Sequence, residues 1–150
     1  DLPLIIHASK SCIYSEDKIC VYDIGGGEAA SYVLRQFPEI EEFPYELLYV
    51  VNIYRPFTRK KEEIIENIYD IEMATGFKIS GIVANSHLRD KTEKENIVEG
   101  YKIIKEISEK IGKEIKYVGV REDKISLIMD CEFKDIVFPL KSFIKYPGEI

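Results

Sequence analysis

Nowhere in the 150 residues does the sequence contain a G-x-x-x-x-G-K-S/T segment, so the chain holds no complete phosphate-binding loop of that kind. Metal-ligating residues are equally scarce. Cys12, Cys20, Cys131, His7 and His87 show no C-x-x-C spacing and no paired histidines, which argues against a zinc site. So few cysteines make no disulfide framework, and Cys20, set in an apolar run, reads as a core thiol of a protein kept in a reducing compartment. No apolar stretch approaches the roughly 20 residues that span a bilayer, and no signal peptide is recognisable; a soluble, cytoplasmic protein is expected. An excess of positive charge is missing too. Lys+Arg number 21 against Asp+Glu 27, for a net charge of −6, which argues against a general nucleic-acid or membrane-surface binder while leaving room for local basic clusters.

What is present is an alternation of strand-like and helix-like segments without repeats or low-complexity linkers. The length suits one α/β domain with its own core over residues 1–150. Because the sequence starts at Asp1 and Leu2–Ile6 already resembles a strand, the chain is expected to be the C-terminal fragment of a larger protein. Ile19–Ile24 reads as a buried strand, followed by a short helix from Ala29 to Phe37 that Pro38 closes. Leu47–Ile53 is a second strand. Thr58 is the expected N-cap of a helix running to Thr75, with Ile64, Ile68 and Ile71 on one face and Gly76 as its left-handed stop. Ile79–Ala84 forms a third strand. Thr92 and Glu95 stand at capping-box spacing ahead of a second long helix ending at Gly112, and Ile115–Val120 is a fourth strand. Ile125–Met129 and Ile136–Leu140 are candidate edge strands, Pro139 favouring an edge. Strands joined by crossover-length helices give the expected fold class: a three-layer α/β fold, mostly parallel, with helices on both faces.

Ligands of open parallel sheets sit beyond the carboxyl ends of the strands. Asp23 with Gly25–Gly27, Asn52 with Arg55, and Asn85 with His87 would all fall there, gathering three loops on one rim. The glycines admit two readings. Gly25-Gly26-Gly27-Glu28-Ala29-Ala30 formally satisfies G-x-G-x-x-G/A, the dinucleotide fingerprint, although Glu28 stands where a pyrophosphate would lie and Asn52-Ile53 replaces the expected acid. The alternative is an Asp-x-Gly-Gly loop in which Asp23 acts through Mg²⁺ and a glycine N–H faces a terminal phosphate. Arg55, Arg59, Lys60 and Lys61 place three cations in an expected first helical turn, against the macrodipole, where a phosphate or an acidic protein partner would offset them. For His87 a loop hydrogen bond is expected ahead of a role as base or ligand.

The ordered set Tyr22-Asp23-Ile24-Gly25-Gly26-Gly27-Glu28, Val50-Val51-Asn52-Ile53-Tyr54-Arg55-Pro56-Phe57-Thr58 and Gly81-Ile82-Val83-Ala84-Asn85-Ser86-His87-Leu88, with Thr92 and Gly100 beyond, resembles the later half of bacterial ATPases of the MinD/ParA/CobQ-like branch of P-loop proteins. The likeness spans about Ile19 to Val120. It implies that Asp23 is the Walker B acid holding Mg²⁺, that Gly25–Gly27 sense the terminal phosphate, that Asn85 recognises adenine, and that the loop from Val120 to Asp123, including Arg121, closes over the base. ATP and Mg²⁺ are the implied cofactors, completed by an upstream half or by self-dimerisation. The family's phosphate-binding lysine and its Mg-binding Ser/Thr have no counterpart here, so the chain is expected to be either half of such a protein, incomplete for hydrolysis, or a degenerate relative. A non-catalytic scaffold module and a dinucleotide-dependent enzyme are the alternatives.

Overall fold

A computed structural model of the chain describes residues 13–15, 17–25 and 34–143. Within them, β1 (Leu48–Val51), β2 (Gly81–Ala84), β3 (Ile115–Arg121) and β4 (Val137–Leu140) form one sheet in the order of the sequence. All three strand pairs are parallel. Parallel neighbours require a crossover, supplied by α1 (Lys61–Thr75) between β1 and β2 and by α2 (Lys94–Ile111) between β2 and β3. The fold is α/β, as the alternating pattern implies, and is consistent with a three-layer arrangement.

The core follows from period. Along the strands, Val51, Ile82, Ala84, Val118 and Val120 alternate onto one face, while Ile64, Ile68 and Ile71 of α1 and Ile97, Ile104 and Ile107 of α2 meet them from above. Ile64, Ile68, Ile82, Ile104, Ile107 and Ile128 are fully buried, each contributing roughly 1.5–3 kcal/mol by leaving water. Both described α-helices lie over this face. Each ends on a glycine in the left-handed region, Gly76 at φ 84° and Gly112 at φ 67°, where any residue with a Cβ would be strained.

Several local expectations are revised. Residues Ile19–Ile24 form no strand, and with Ile19 94% and Val21 89% exposed they lie outside the core; an apolar run becomes a strand only where a neighbour offers a free edge and a face to bury it. Tyr22 lies against Phe37 with ring centroids 5.7 Å apart and planes tilted by 50°, and Arg35 Nε donates to the Ala74 carbonyl at 2.5 Å. Since α1 runs back from the carboxyl border of β1 to the amino border of β2, this segment sits at the amino border. Most of the expected Ala29–Phe37 helix lies outside the described residues; Pro38 opens a 3₁₀ helix, Pro38–Glu42, as well as ending what precedes it. Cys20 is half-buried and disulfide-bonded, not a plain core thiol, which removes one support for a reducing compartment.

Thr58 caps no helix. Its hydroxyl donates to the carbonyls of Asn52 and Arg55, and α1 begins after Lys60. Arg59 and Lys60 therefore precede the helix, Glu62 and Glu63 occupy its first turn, and the expected conflict with the macrodipole is reduced to Lys61, which pairs with Glu106 of α2. The second cap is displaced by one residue, Asn96 Oδ1 accepting the Glu93 N–H at 2.9 Å, because Thr92 is committed to the preceding turn. Ile125–Met129 is not an edge strand: Glu122–Ile128 is a 3₁₀ helix that inserts Ile128 into the core. The edge role of Ile136–Leu140 holds, as β4, with Pro139 within it.

Candidate functional site

At the carboxyl border the loops after β1, β2, β3 and β4 enclose a cleft of about 200 Å³. Its walls are Asn85 to His87 with Arg89, Asp90 and Thr92 on one side, Gly119 to Arg121 with Lys124 on the other, and Leu140 to Ser142 at the end of β4, with Arg55 reaching in from the loop after β1. The site residues Asn85 and Arg121 thus share one cavity, and two of the three expected loops converge. The Asp23 loop does not, because residues 17–25 lie at the opposite border; Asp23 and Gly25 are solvent-exposed, and Gly26 and Gly27 lie outside the described residues. The dinucleotide fingerprint also loses its required preceding strand.

Close backbone approach builds the Asn85 corner. The Asn85 N–H donates to Val51 O at 2.8 Å, tying the end of β2 to β1. A Cβ at residue 119 would lie 2.8 Å from Asn85 Oδ1 and 3.1 Å from Leu140 Cδ1, so glycine at 119 is what lets the Asn85 side chain lie across β3. That side chain makes no hydrogen bond to any described residue. Asn52, by contrast, is fully engaged: Nδ2 donates to His87 O at 3.0 Å, while Oδ1 accepts from the N–H groups of His87 at 3.2 Å and Tyr54 at 3.0 Å. It clamps the β1 loop to the β2 loop, a role that its strand-end position alone did not reveal.

The β2 loop continues through a single 3₁₀ turn, Arg89–Lys91, entered with Arg89 at φ 56°. Thr92 closes it, its hydroxyl donating to Arg89 O at 2.5 Å and accepting the Leu88 N–H at 2.9 Å. His87 Nδ1 accepts the Arg89 N–H at 3.2 Å, the expected loop hydrogen bond. Burial first, then the charges of Arg55, Arg89 and Arg121, hold its imidazole below the ordinary histidine value. The ring is therefore a neutral wall among cations at pH 7.

Arg121 spans the cleft. Its Nε and Nη2 donate to the two carboxylate oxygens of Asp123 at 2.9 and 3.1 Å, and Nη1 pairs with Asp90 on the opposite wall. These groups are one-third to more than one-half exposed, so each pair is worth only about 0–1 kcal/mol and a well-placed anion can compete for the guanidinium. With Arg55, Arg89, Lys124 and Lys141 around the same space, the cleft is suited to an anion carrying a polar planar group. Arg89, Lys124 and Lys141 were missed from sequence because their loops meet only in the folded sheet. Among the described residues there is no group of three or more His, Cys, Asp or Glu side chains able to hold a metal ion, and no helix long and apolar enough to cross a membrane. Against family models, curated proteins and solved structures, the chain finds no match.

Proposed function

We propose that the chain is the base-binding part of a cytoplasmic MinD/ParA-like ATP-binding protein, with the carboxyl-border cleft taking the nucleotide. The observation that carries this reading is the Asn85 amide, without a hydrogen bond to any described residue, lining the same cation-rich cleft as Arg121. A carboxamide offers one donor and one acceptor side by side, which match the amino group and neighbouring ring nitrogen of adenine. Arg121 would cover the base, and Arg55 and Arg89 would face the phosphates. The residues present fit the base and the anion but include no phosphate-loop lysine of the G-x-x-x-x-G-K-S/T kind, so hydrolysis would depend on groups that this sequence does not contain. Mg²⁺ would arrive with the phosphates; Asp23, at the other border, has no part in this geometry.

Amide NMR of the chain titrated with millimolar ATP tests the reading. Shifts should concentrate on the Asn85 side-chain amide, Arg121 and residues 87–92, and be weaker with GTP. Asn85→Ala should reduce the preference for ATP by roughly 1–3 kcal/mol. Equal response to both nucleotides in the original chain, or shifts centred elsewhere, would overturn it.

A further inference from the structure

The loop between β1 and α1 contains a feature that the cleft does not use. Phe57 is 83% exposed and has a φ of 65°, a left-handed conformation that is strained for a bulky side chain. Nothing frays there to relieve it. The Thr58 hydroxyl donates to the carbonyls of Asn52 and Arg55 at 2.7 and 3.1 Å, Asn67 Nδ2 donates to the Phe57 carbonyl at 3.1 Å, and the Thr58 N–H donates to Arg55 O at 3.3 Å. A glycine or asparagine would satisfy this turn without strain, and the ring adds no burial to the fold. The phenylalanine therefore carries both a backbone penalty and an exposed aromatic face, on a loop held rigid from both sides.

The charges around it are arranged in blocks. Exposed Arg59 and Lys60 follow Phe57 after Thr58, Lys60 lying 3.8 Å from the Glu63 carboxylate of its own chain, and exposed Glu62 and Glu66 come next on the first turns of α1. A cationic strip beside an anionic strip is complementary to itself after a two-fold rotation. We infer that two copies of this chain associate through this loop, Phe57 stacking on its equivalent while Arg59 and Lys60 of one copy face Glu62 and Glu66 of the other. The contact is small, so the dimer is weak, with Kd on the order of 100 μM, and salt-sensitive. It does not depend on the nucleotide reading.

Sedimentation equilibrium of the chain at low and high salt is the test. The chain should dimerise at low salt and dissociate as salt rises. Phe57→Asn should weaken association at least tenfold yet raise the melting temperature of the dilute monomer, because asparagine tolerates the left-handed region; a phenylalanine needed for the fold would give the opposite shift. Arg59→Glu should also break the dimer, and adding Glu62→Arg in the same chain should restore it. A chain that stays monomeric at low salt and millimolar concentration, or a dimer untouched by Phe57→Asn and Arg59→Glu, would overturn the inference.

Discussion

Ser86 and Gly100 show how much of the site rests on the absence of single atoms. A Cβ on Gly100 would come within 2.2 Å of both Cβ and Oγ of Ser86, far inside contact distance, and Ser86 is buried, its hydroxyl accepting the Ile53 N–H at 3.4 Å. Gly100 thus lets α2 lie directly on the turn that leaves β2. Gly100→Ala should destabilise by about 1–3 kcal/mol, the usual result of overpacking, and thermal melting will measure it. Ser86→Gly in the same chain should recover part of the loss, whereas Ser86→Ala should not, since the Cβ itself is in the way. At this scale Asn85 was legible in the sequence from its place after an apolar strand. The significance of Gly100 and Gly119 was not, because a missing side chain marks only an approach made by residues distant in the chain.

Among the elements, the strands and crossover helices were readable wherever period and stop signals agreed: Ile64, Ile68 and Ile71 announce α1, and Gly76 and Gly112 end the helices. Caps were less legible. Thr58 and Thr92 both have the right chemistry for an N-cap, but loop carbonyls and N–H groups compete for the same hydroxyls and prevail. Ile19–Ile24 failed for a broader reason, since strand character in sequence does not say whether a partner edge is open to receive it.

One link between elements was invisible beforehand. Glu72, near the end of α1 and buried, accepts the Ile79 N–H at 2.8 Å and the Lys113 ammonium at 2.9 Å, with Lys78 Nζ at 3.5 Å. It joins the approach to β2 with the turn before β3. Burial alone would raise its carboxyl, but the hydrogen bonds from Lys113 and Ile79 and the charges of Lys113 and Lys78 outweigh this and hold it below the ordinary glutamate value. A depressed folded pKa gives stability that is complete above the unfolded value, near 4.5, and is lost as pH falls through the folded one. Denaturant titrations from pH 6 downward should show that loss. In Glu72→Gln the acid-dependent part should shrink, with roughly 1–3 kcal/mol of stability gone at neutral pH because Lys113 is left without its carboxylate. An unchanged acid limb would remove Glu72 from this role.

Across the whole molecule, the sequence motif and the observed position of Asp23 lead to opposite outcomes. As a Walker B acid, Asp23 would make nucleotide binding depend on magnesium, and Asp23→Ala would weaken that dependence. With residues 17–25 largely exposed at the amino border, Asp23→Ala should leave it unchanged. Titrating ATP into both forms with and without Mg²⁺ decides between them, a weakened dependence meaning that the segment occupies another border when nucleotide is bound.

The parallel sheet also separates two kinds of fragility. Each crossover helix carries the chain back, so every strand is entered from the border where Glu72 and Lys113 are locked together and left at the border where Asn85 and Arg121 face the cleft. Changes at the entry side should therefore appear mainly in melting curves, and changes at the exit side mainly in titration curves. A survey of substitutions scored by both would divide the molecule along a plane across its strands.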